Sequence, residues 1–430
     1  MKSVLLYIML ISLLSCNNSA SKFYMPAEWE PHDAVWFGWD KDSAYYQPIA
    51  EIIKALTPHV KVKVAVSSDS LLQVAKTYLY NQQIDSGKIH FYLMTGDRYW
   101  IRDNGAAFLV NENGEFGVAD FAWDMYGAPA WLNEKYAYNK DSVDKYVKLW
   151  LKPEVSLLDI EMAATENATV LKTNVVHEGG AIEVNGKGAL ILCEATVFQR
   201  NPGRGREELE SEFKRVLGVS KIIWMKKGLA DDPHWFFRRI TGNYVGGGTG
   251  GHTDEFVRFA NPNTILLAWI DEAEKDLNPV NQMNFERMSE NFKILEQSTD
   301  QDGNPFKIIK VPLPDLISRN IVARQNNDSD FTKLDLSPEH FVPSEAPKVG
   351  DTLLRVPASS YLNYLVTNGL VLVPTYTAMG SSMNKEEGVR KIFEEQFPGR
   401  KIIFISVMPQ NWDGGGIHCS TQQQPKRVTN

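Results

Sequence analysis

Short apolar runs joined by turn signals recur along the chain and predict β-hairpins. Asn113-Gly114 separates two such runs, and Asn185-Gly186 and Asn368-Gly369 do the same further along. Asn-Gly favours a two-residue hairpin turn because both of its central positions require positive φ. A fourth hairpin is predicted around Asn261-Pro262-Asn263. The pattern therefore predicts at least four pairs of short, buried, antiparallel strands.

Amphipathic segments follow these hairpins, and each is followed by another apolar run. Residues 206–218 carry apolar side chains at helical spacing and finish on a glycine suited to a C-cap, and the β-rich run 221–225 comes next. Residues 384–397 and 401–405 repeat this order. The sequence thus predicts an α/β protein built from ββαβ-like units.

A polar or glycine-rich motif lies immediately before each hairpin. In chain order these motifs are Arg102–Gly105, His177–Gly180, Gly250–Asp254, Asn363 and Asp413–Cys419. Asp103, Glu178 and His252 within them are about 75 residues apart. Five such units favour a radial or stacked architecture, in which polar residues at equivalent strand starts would meet at one axis. Coincidence within an ordinary α/β protein is the alternative. We therefore expect one domain spanning residues 25–430, although the length alone would suggest two or three.

The N-terminus has the pattern of an export signal. Lys2 precedes the apolar run Val4–Leu14, which is too short to span a membrane as a helix. The run ends in a sequence similar to a bacterial lipobox, so Cys16 is expected to be lipidated. Residues 1–15 would then be a lipoprotein signal peptide and residues 16–24 a tether to the cell envelope. An ordinary secretory signal or an N-terminal anchor is the alternative.

Composition narrows the classes of partner. The chain has 430 residues, is 43% hydrophobic and carries a net charge of −8, with no basic run of the kind that nucleic-acid binders show. An acidic protein suits a small cationic ligand better. Nothing in the sequence sets the oligomeric state, and membrane contact is expected only through the lipid.

No cofactor motif is convincing. Gly246–Gly251 matches G-x-G-x-x-G, but the residues after it are expected to form a strand, whereas dinucleotide binding needs a helix there. A P-loop and a G-x-S-x-G nucleophile motif are both missing from the sequence. We therefore expect neither a cofactor nor a metal.

Two of the three cysteines remain once Cys16 is assigned to lipidation, so a disulfide framework is not expected. Cys193 ends an apolar run and is interpreted as a small buried residue. Cys419 lies instead among Gly, Ser, Thr and Gln, which favours a reactive thiol that needs a nearby base or cation. Strand alternation would turn His418 away from Cys419.

A histidine and three carboxylates accompany Cys419 in the strand-start motifs. His252 and Asp254 are two residues apart and would share one face of a strand, while Asp103 and Glu178 occupy equivalent positions in other units. A guanidinium presents N–H donors in a planar fork that carboxylates accept, so this set suits such a cation. A metal-dependent hydrolase that uses His252, Asp254 and His177 is the enzymatic alternative.

The motifs together resemble the Porphyromonas-type peptidyl-arginine deiminase and agmatine deiminase family of the guanidino-group-modifying superfamily. The similarity covers nearly the whole mature chain. The matching stretches are Met25–His32, Trp100–Gly105, His177–Gly180, Asn201–Glu208, Gly251–Asp254 and Gly414–Pro425. The resemblance implies a five-bladed α/β propeller, the pentein fold, in agreement with the five units.

The resemblance also implies residue roles. Cys419 matches the nucleophile and His252 the general acid/base. Asp103 and Asp254 match the carboxylates that bind the guanidinium, and Glu178 matches the acid that orients the histidine.

Two further residues are expected to bind substrate. Asn363 falls where the family has an asparagine in the site, and Trp100 begins the matching stretch Trp100–Gly105.

The resemblance leaves the substrate open. The local motifs favour agmatine, which would yield N-carbamoylputrescine and ammonia, whereas export favours an arginyl peptide. The run Asp120–Gly127 departs from the agmatine pattern and also lacks arginines that would bind a terminal carboxylate. Residues 231–250 form a longer segment than that pattern has, and we expect them to be a lid or a rim. Amidino transfer through the same intermediate and a non-catalytic lipoprotein that binds guanidino compounds are the remaining alternatives.

Overall fold

The computed structural model describes residues 22–95, 99–152, 156–234, 237–326 and 335–428. The predicted signal peptide and the lipidation site Cys16 lie outside these ranges. Within them, no helix combines the length and the apolarity that crossing a membrane would require.

Twenty strands and twelve α-helices make up the described part of the chain. The strands are β1 (His32–Gly38), β2 (Lys61–Val66), β3 (Ile89–Leu93), β4 (Ala107–Val110), β5 (Phe116–Ala122), β6 (Thr169–Val176), β7 (Glu183–Val184), β8 (Ala189–Cys193), β9 (Lys221–Met225), β10 (Arg238–Thr241), β11 (Tyr244–Gly246), β12 (Val257–Asn261), β13 (Thr264–Trp269), β14 (Lys307–Pro312), β15 (Arg319–Val322), β16 (Thr352–Arg355), β17 (Leu365–Thr367), β18 (Leu370–Pro374), β19 (Lys401–Ile405) and β20 (Thr421–Pro425). The helices are α1 (Tyr46–Leu56), α2 (Asp69–Asn81), α3 (Ile101–Asn104), α4 (Ala128–Lys135), α5 (Lys140–Trp150), α6 (Leu158–Glu166), α7 (Glu194–Arg200), α8 (Arg206–Leu217), α9 (Thr253–Phe256), α10 (Pro279–Glu296), α11 (Met383–Gln396) and α12 (Met408–Trp412).

Four small mixed sheets repeat one topology. In each, a hairpin of two antiparallel strands is extended by a third strand that pairs parallel with the second after at least one intervening helix. These sheets are β4-β5-β6, β7-β8-β9, β12-β13-β14 and β17-β18-β19. All four hairpins predicted from the turn signals are confirmed, and so is the ββαβ order.

The two ends of the described chain combine to form a fifth unit. β20 pairs antiparallel with β1, which continues parallel to β2 and β3. Phe37 is opposite Thr421 in this register, so the strand that follows the Cys419 motif is held by the N-terminal strand. The sequence located the fifth motif but not its partner strand, because nothing local marks a pairing between residues almost 400 positions apart.

The amphipathic helices bury one face each against these sheets. On α8, Leu209, Phe213 and Val216 are fully buried at helical spacing, and each such side chain contributes roughly 1.5–3 kcal/mol through removal from water. The helix stops at Gly218, whose φ of 67° fits the predicted C-cap glycine.

A sixth sheet was not predicted. β10 and β11 form a hairpin, and β11 pairs parallel with β16, which also pairs with β15. This accessory sheet combines part of the segment expected to be a lid or rim, residues 231–250, with strands from much later in the chain. Its strands have three or four residues, too few for a recognisable alternation.

Short turns and helices, rather than strands, carry the motif residues. The expectation that residues 252–257 begin as a strand is wrong, because residues 253–256 form the single turn α9 and His252 is its N-cap residue. Gly250 and Gly251 have φ values of +85° and +112°, so the backbone bends sharply just before this turn. A four-residue helix after the glycines still differs from the long helix of a dinucleotide-binding motif.

Candidate active site

Three side chains from two units surround Gly180, which belongs to a third unit. A Cβ atom built on Gly180 would lie 2.7 Å from Asp103 Oδ1, 2.7 Å from His252 Nδ1 and 3.0 Å from Asp254 Oδ2. These distances are too short for a side chain, so residue 180 must lack one for the three polar side chains to come together. The second glycine of the His177–Gly180 motif thus allows this polar cluster to form. The structure thus brings together three of the predicted site residues.

Asp103 is held from two sides. Tyr126 donates its hydroxyl to Oδ2 at 2.8 Å, and the backbone N–H of Gly180 donates to Oδ1 at 3.1 Å. Burial raises the pKa of Asp103 to about 6, with Asp254 adding to the shift and His252 opposing it. Tyr126 was missed because no sequence signal links it to Asp103; it lies after the second strand of the first hairpin, with a φ of 59°.

His252 lies between two carboxylates. Its Nε2 is 3.3 Å from Glu178 Oε2, and its Nδ1 is 3.5 Å from Asp103 Oδ1. Burial alone would lower the pKa of His252, but the charges of Asp103 and Glu178 outweigh it and raise the pKa to about 9. His252 is therefore an imidazolium at neutral pH, able to give a proton.

Glu178 stays ionised because of Arg200. Arg200 donates from Nε to Glu178 Oε1 at 2.8 Å, and both side chains are buried. Although burial favours the neutral acid, Arg200 and His252 hold the pKa of Glu178 far below its usual range. Glu178 thus lies where the predicted orienting role for His252 requires.

Cys419 contacts Asn363 and Asp254. Asn363 donates from Nδ2 to Sγ at 3.0 Å and accepts the backbone N–H of His418 at 2.9 Å through Oδ1. Asp254 Oδ2 is 3.5 Å from the sulfur. Burial, reinforced by Asp254 and Glu255, raises the pKa of Cys419 well above its usual value. The thiol therefore keeps its proton until a positive charge offsets these carboxylates.

His418 does not face away from the site. Its Nδ1 lies 2.8 Å from Asp254 Oδ2, and its Nε2 lies 2.8 Å from Glu28 Oε1. The prediction from strand alternation is wrong because residues 417–420 form a turn before β20. Asp254 Oδ1 has no hydrogen-bond partner among the described residues. His418 therefore fixes one oxygen of Asp254 and leaves the other to a ligand.

Glu255 was missed for the same geometric reason. On a strand it would turn away from Asp254, but the helical turn α9 directs both acids toward the thiol, with Glu255 Oε1 4.0 Å from Sγ. Asn363 donates to the same oxygen at 2.9 Å. Burial and the neighbouring Asp254 raise the pKa of Glu255 well above its usual range.

The structure does not bring together His252, Asp254 and His177, the ligands of the alternative metal site. His177 packs its ring against Phe121 and Phe213, with centroids 5.6 and 4.8 Å apart, and its Nε2 lies 3.3 Å from Ala181 O. Across the described ranges, one group of side chains has the spacing of metal ligands, namely Asp254, Glu255 and Cys419. That group includes the predicted nucleophile and excludes His177.

Trp100 lies beside the thiol. A Cβ atom built on Gly415 would be 2.5 Å from Trp100 Cζ3 and 3.1 Å from Cys419 Cβ, so the ring and the cysteine flank the same point. The glycine run before Cys419 therefore allows an aromatic ring to approach the nucleophile.

Comparisons with known proteins identify the family of this chain. The family model described as Porphyromonas-type peptidyl-arginine deiminase matches residues 24–425. The chain belongs to this family. Agmatine deiminase from Stutzerimonas stutzeri (strain A1501) is 28% identical over 415 residues, covering 94% of this chain and 95% of the relative.

Solved structures show the same fold. The agmatine deiminase of Enterococcus faecalis has a TM-score of 0.70 at 24% identity, with 94% of this chain and 96% of that chain covered. A cysteine-to-serine variant of the agmatine deiminase of C. jejuni with substrate bound has a TM-score of 0.66 at 18% identity, with 96% and 98% covered.

Cys193, unlike Cys419, lies in the hydrophobic core of this member of the peptidyl-arginine deiminase family. It is buried in β8, and burial raises its pKa to about 11. The prediction that it is a buried structural residue is confirmed by its position in the core.

Proposed function

We propose that this protein hydrolyses a guanidinium group through a covalent intermediate on Cys419, with agmatine converted to N-carbamoylputrescine and ammonia as the favoured reaction. The cluster of Asp103, His252 and Asp254 around Gly180, with Asp254 also 3.5 Å from the Cys419 sulfur, is the observation that carries this proposal. The names of the relatives support agmatine as the substrate.

The guanidinium itself activates the thiol. Asp103 and Asp254 accept its N–H groups, and Asp254 Oδ1 is available for this because His418 occupies the other oxygen. The bound cation offsets the carboxylates that keep Cys419 protonated, so the pKa of the thiol falls when substrate binds. A nucleophile that ionises only beside its substrate is protected from reaction with other electrophiles.

Bond changes follow from these positions. The Cys419 thiolate bonds to the guanidinium carbon, His252 gives its proton to one amino group, and ammonia leaves as the C–N bond breaks. Neutral His252 then takes a proton from water, whose oxygen bonds to the same carbon. The C–S bond then breaks, and the proton of the new hydroxyl group passes to the sulfur, replacing the one that the thiol released to solvent when the cation bound. A ureido product leaves, and the thiol and the imidazolium are restored. An acid/base held in place contributes roughly 10²–10⁴-fold to such a rate.

A propeller arrangement would explain why the site assembles from all parts of the chain. We propose that the five repeated units form a five-bladed α/β propeller with the motifs at its axis. Four sheets share one topology, and in a fifth an antiparallel pair is likewise extended by a parallel strand. These sheets support the arrangement, as does the meeting of Asp103, Glu178, His252, Asn363 and Cys419.

The predicted signal sequence bears on where the reaction occurs. We propose that Cys16 is lipidated and tethers the enzyme to the cell envelope, which would also suit an arginyl peptide as the alternative substrate. Metabolic labelling with a fatty acid should mark the wild type and not the Cys16→Ala variant. Equal labelling of both proteins would refute the anchor.

An activity assay tests the reaction. The mature protein is incubated with agmatine, free arginine and an arginyl peptide, and the ureido product is detected colourimetrically. We expect product from agmatine, none from Cys419→Ala, and no effect of a chelator. Full activity in Cys419→Ala, or no product from any substrate, would refute the mechanism. Product from the peptide alone would make an arginyl peptide the substrate of the same mechanism. Loss of activity on chelation would favour a metal-dependent hydrolase.

A further inference from the structure

A cavity of about 610 Å³ opens beside the candidate active site, between helices α4 and α5 on one wall and the accessory sheet on the other. Aromatic rings dominate its lining. The helices contribute Trp131, Tyr146 and Trp150, and Tyr136 lies directly after α4. The opposite side contributes Phe237 and Trp412. Neither this helical hairpin nor the accessory sheet supplies a residue to the proposed guanidinium chemistry.

The cavity borders the surroundings of Cys419 at Trp100. Trp100 lines it and also flanks the point beside Gly415 that lies 3.1 Å from Cys419 Cβ. Gly247 lines it as well, and a Cβ atom built on Gly414 would be 2.8 Å from the carbonyl oxygen of Gly247. Trp100 is therefore the side chain past which a chain extending from a guanidinium at Asp103 and Asp254 would run to reach this space.

The size of the cavity exceeds what agmatine needs. A volume of about 610 Å³ lies within the range of roughly 300–1,000 Å³ typical of pockets for drug-sized ligands. Agmatine extends beyond its guanidinium by only four carbons and one amine. Most of the cavity would remain unused by that tail.

The charges around the cavity do not select an ammonium tail. Its lining includes two basic residues, Lys135 and Arg355, and two acids, Glu339 and Asp413, so the two signs largely offset each other. Lys135 donates to the carbonyl oxygen of Glu339 at 2.7 Å, and Arg355 stacks 4.9 Å from the ring of Phe237. A neutral group therefore suits this lining as well as a charged one does.

The rings form a preorganised surface for another aromatic group. Tyr136 and Tyr146 stack with centroids 5.0 Å apart and planes 7° from parallel, and Trp150 lies 5.7 Å from Tyr146. Such surfaces favour flat apolar groups through offset stacking and edge-to-face contacts.

We propose that the cavity binds an uncharged aromatic group attached through an amide to the distal end of the guanidino substrate. The proposal rests on the proposed deimination and narrows its substrate class. The guanidinium binds at Asp103 and Asp254, the alkyl chain passes Trp100, and the aromatic group enters between α5 and Phe237.

Three substrates and matched variants test the proposal. Values of kcat/KM are compared for agmatine, N-acetylagmatine and N-naphthoylagmatine, which separate the effects of the amide and the ring. We expect the naphthoyl compound to exceed the acetyl compound by about tenfold or more, as one or two favourable ring contacts would give. Trp150→Ala and Tyr146→Ala should each reduce that ratio severalfold through KM while agmatine turnover is unchanged.

Leu149→Ala provides the control, because Leu149 is on the same helix, is 55% exposed and does not line the cavity. It should leave all three values unchanged. Turnover of agmatine with no preference for the naphthoyl compound, or a preference that survives both variants, would overturn the proposal and leave the proposed function intact.

Absence of turnover with all three compounds would refute the proposed function instead. Calorimetric binding of N-naphthoylagmatine then decides this proposal separately. Binding that weakens in Trp150→Ala supports the aromatic subsite, and binding no tighter than that of N-acetylagmatine overturns it.

Discussion

At the scale of single residues, the shape of the candidate site depends on the lack of a side chain at Gly180. The backbone at Gly180 is not in the left-handed region, so alanine is conformationally allowed there. Its methyl group would, however, clash with Asp103, His252 and Asp254 and push these side chains apart.

Gly180→Ala should therefore reduce kcat/KM for agmatine by about 100-fold or more, as displacement of the reacting group in a preorganised site does. Gly388→Ala is the control, since Gly388 lies on α11 with no atom within 4 Å of an added Cβ. It should keep full activity, and it should raise stability by about 0.5–1 kcal/mol. Near-normal activity in Gly180→Ala would mean that the guanidinium binds elsewhere.

The pH dependence of activity follows from two shifted groups. Below its pKa of about 6 Asp103 is protonated and binds the cation poorly, and above its pKa of about 9 His252 has lost the proton that ammonia needs. The profile of kcat/KM against pH should therefore be bell-shaped, with its acid limb near the pKa of Asp103 and its alkaline limb near the pKa of His252. Tyr126→Phe removes a hydrogen bond that lowers the pKa of Asp103, so its acid limb should move to higher pH. An unmoved limb would contradict this assignment.

At the scale of elements, the sequence located strand starts better than side-chain directions. Asn-Gly turns act locally through positive φ, so the hairpins and the order of units could be predicted. The positions of Glu255 and His418 could not, because both depend on single turns where a strand was expected. Glu28 was also missed, since its contacts with Arg102, Arg258 and His418 join segments far apart in sequence.

A carboxyl pair between α6 and β5 gives a prediction at this scale. Burial, with Asp120 adding to it, raises the pKa of Asp159 to about 8, whereas an unfolded Asp titrates near 3.9. The folded protein thus holds a proton that the unfolded chain lacks, and the resulting stability is lost as pH rises through about 8.

Asp159→Asn removes this dependence while keeping an oxygen for the N–H of Ile160. The variant should gain stability over the wild type as pH increases from 5 to 8, by about 1 kcal/mol or more, since one pKa unit corresponds to about 1.4 kcal/mol. Urea midpoints at several pH values measure the gain. A constant difference between the two proteins would show that Asp159 is not protonated in the folded state.

At the scale of the whole molecule, the unit that carries Cys419 is completed by residues from the other end of the described chain. β20 pairs with β1 directly after the cysteine turn, and Lys426 donates its backbone N–H to Pro31 at 2.7 Å just beyond it. The nucleophile is therefore positioned by contacts that no local segment can supply.

Removing residues 421–430 should abolish both cooperative unfolding and activity, although every proposed catalytic residue is retained. Removing residues 426–430 should reduce stability and activity much less, because the pairing of β20 with β1 survives. Circular dichroism melts and agmatine turnover compare the two truncations. A stable, active protein without β20 would refute the view that closure of this unit positions Cys419.

The central claim is that Cys419 forms a covalent bond to the guanidinium carbon, and trapping that bond tests it most directly. The protein is mixed with agmatine, quenched in acid within the first turnover, and analysed by intact-protein and peptide mass spectrometry. We predict an added mass equal to agmatine minus ammonia, located on Cys419 and missing from Cys419→Ala, with Cys193 unmodified. Formation of ureido product with no adduct at Cys419, or an adduct on Cys193, would contradict the account.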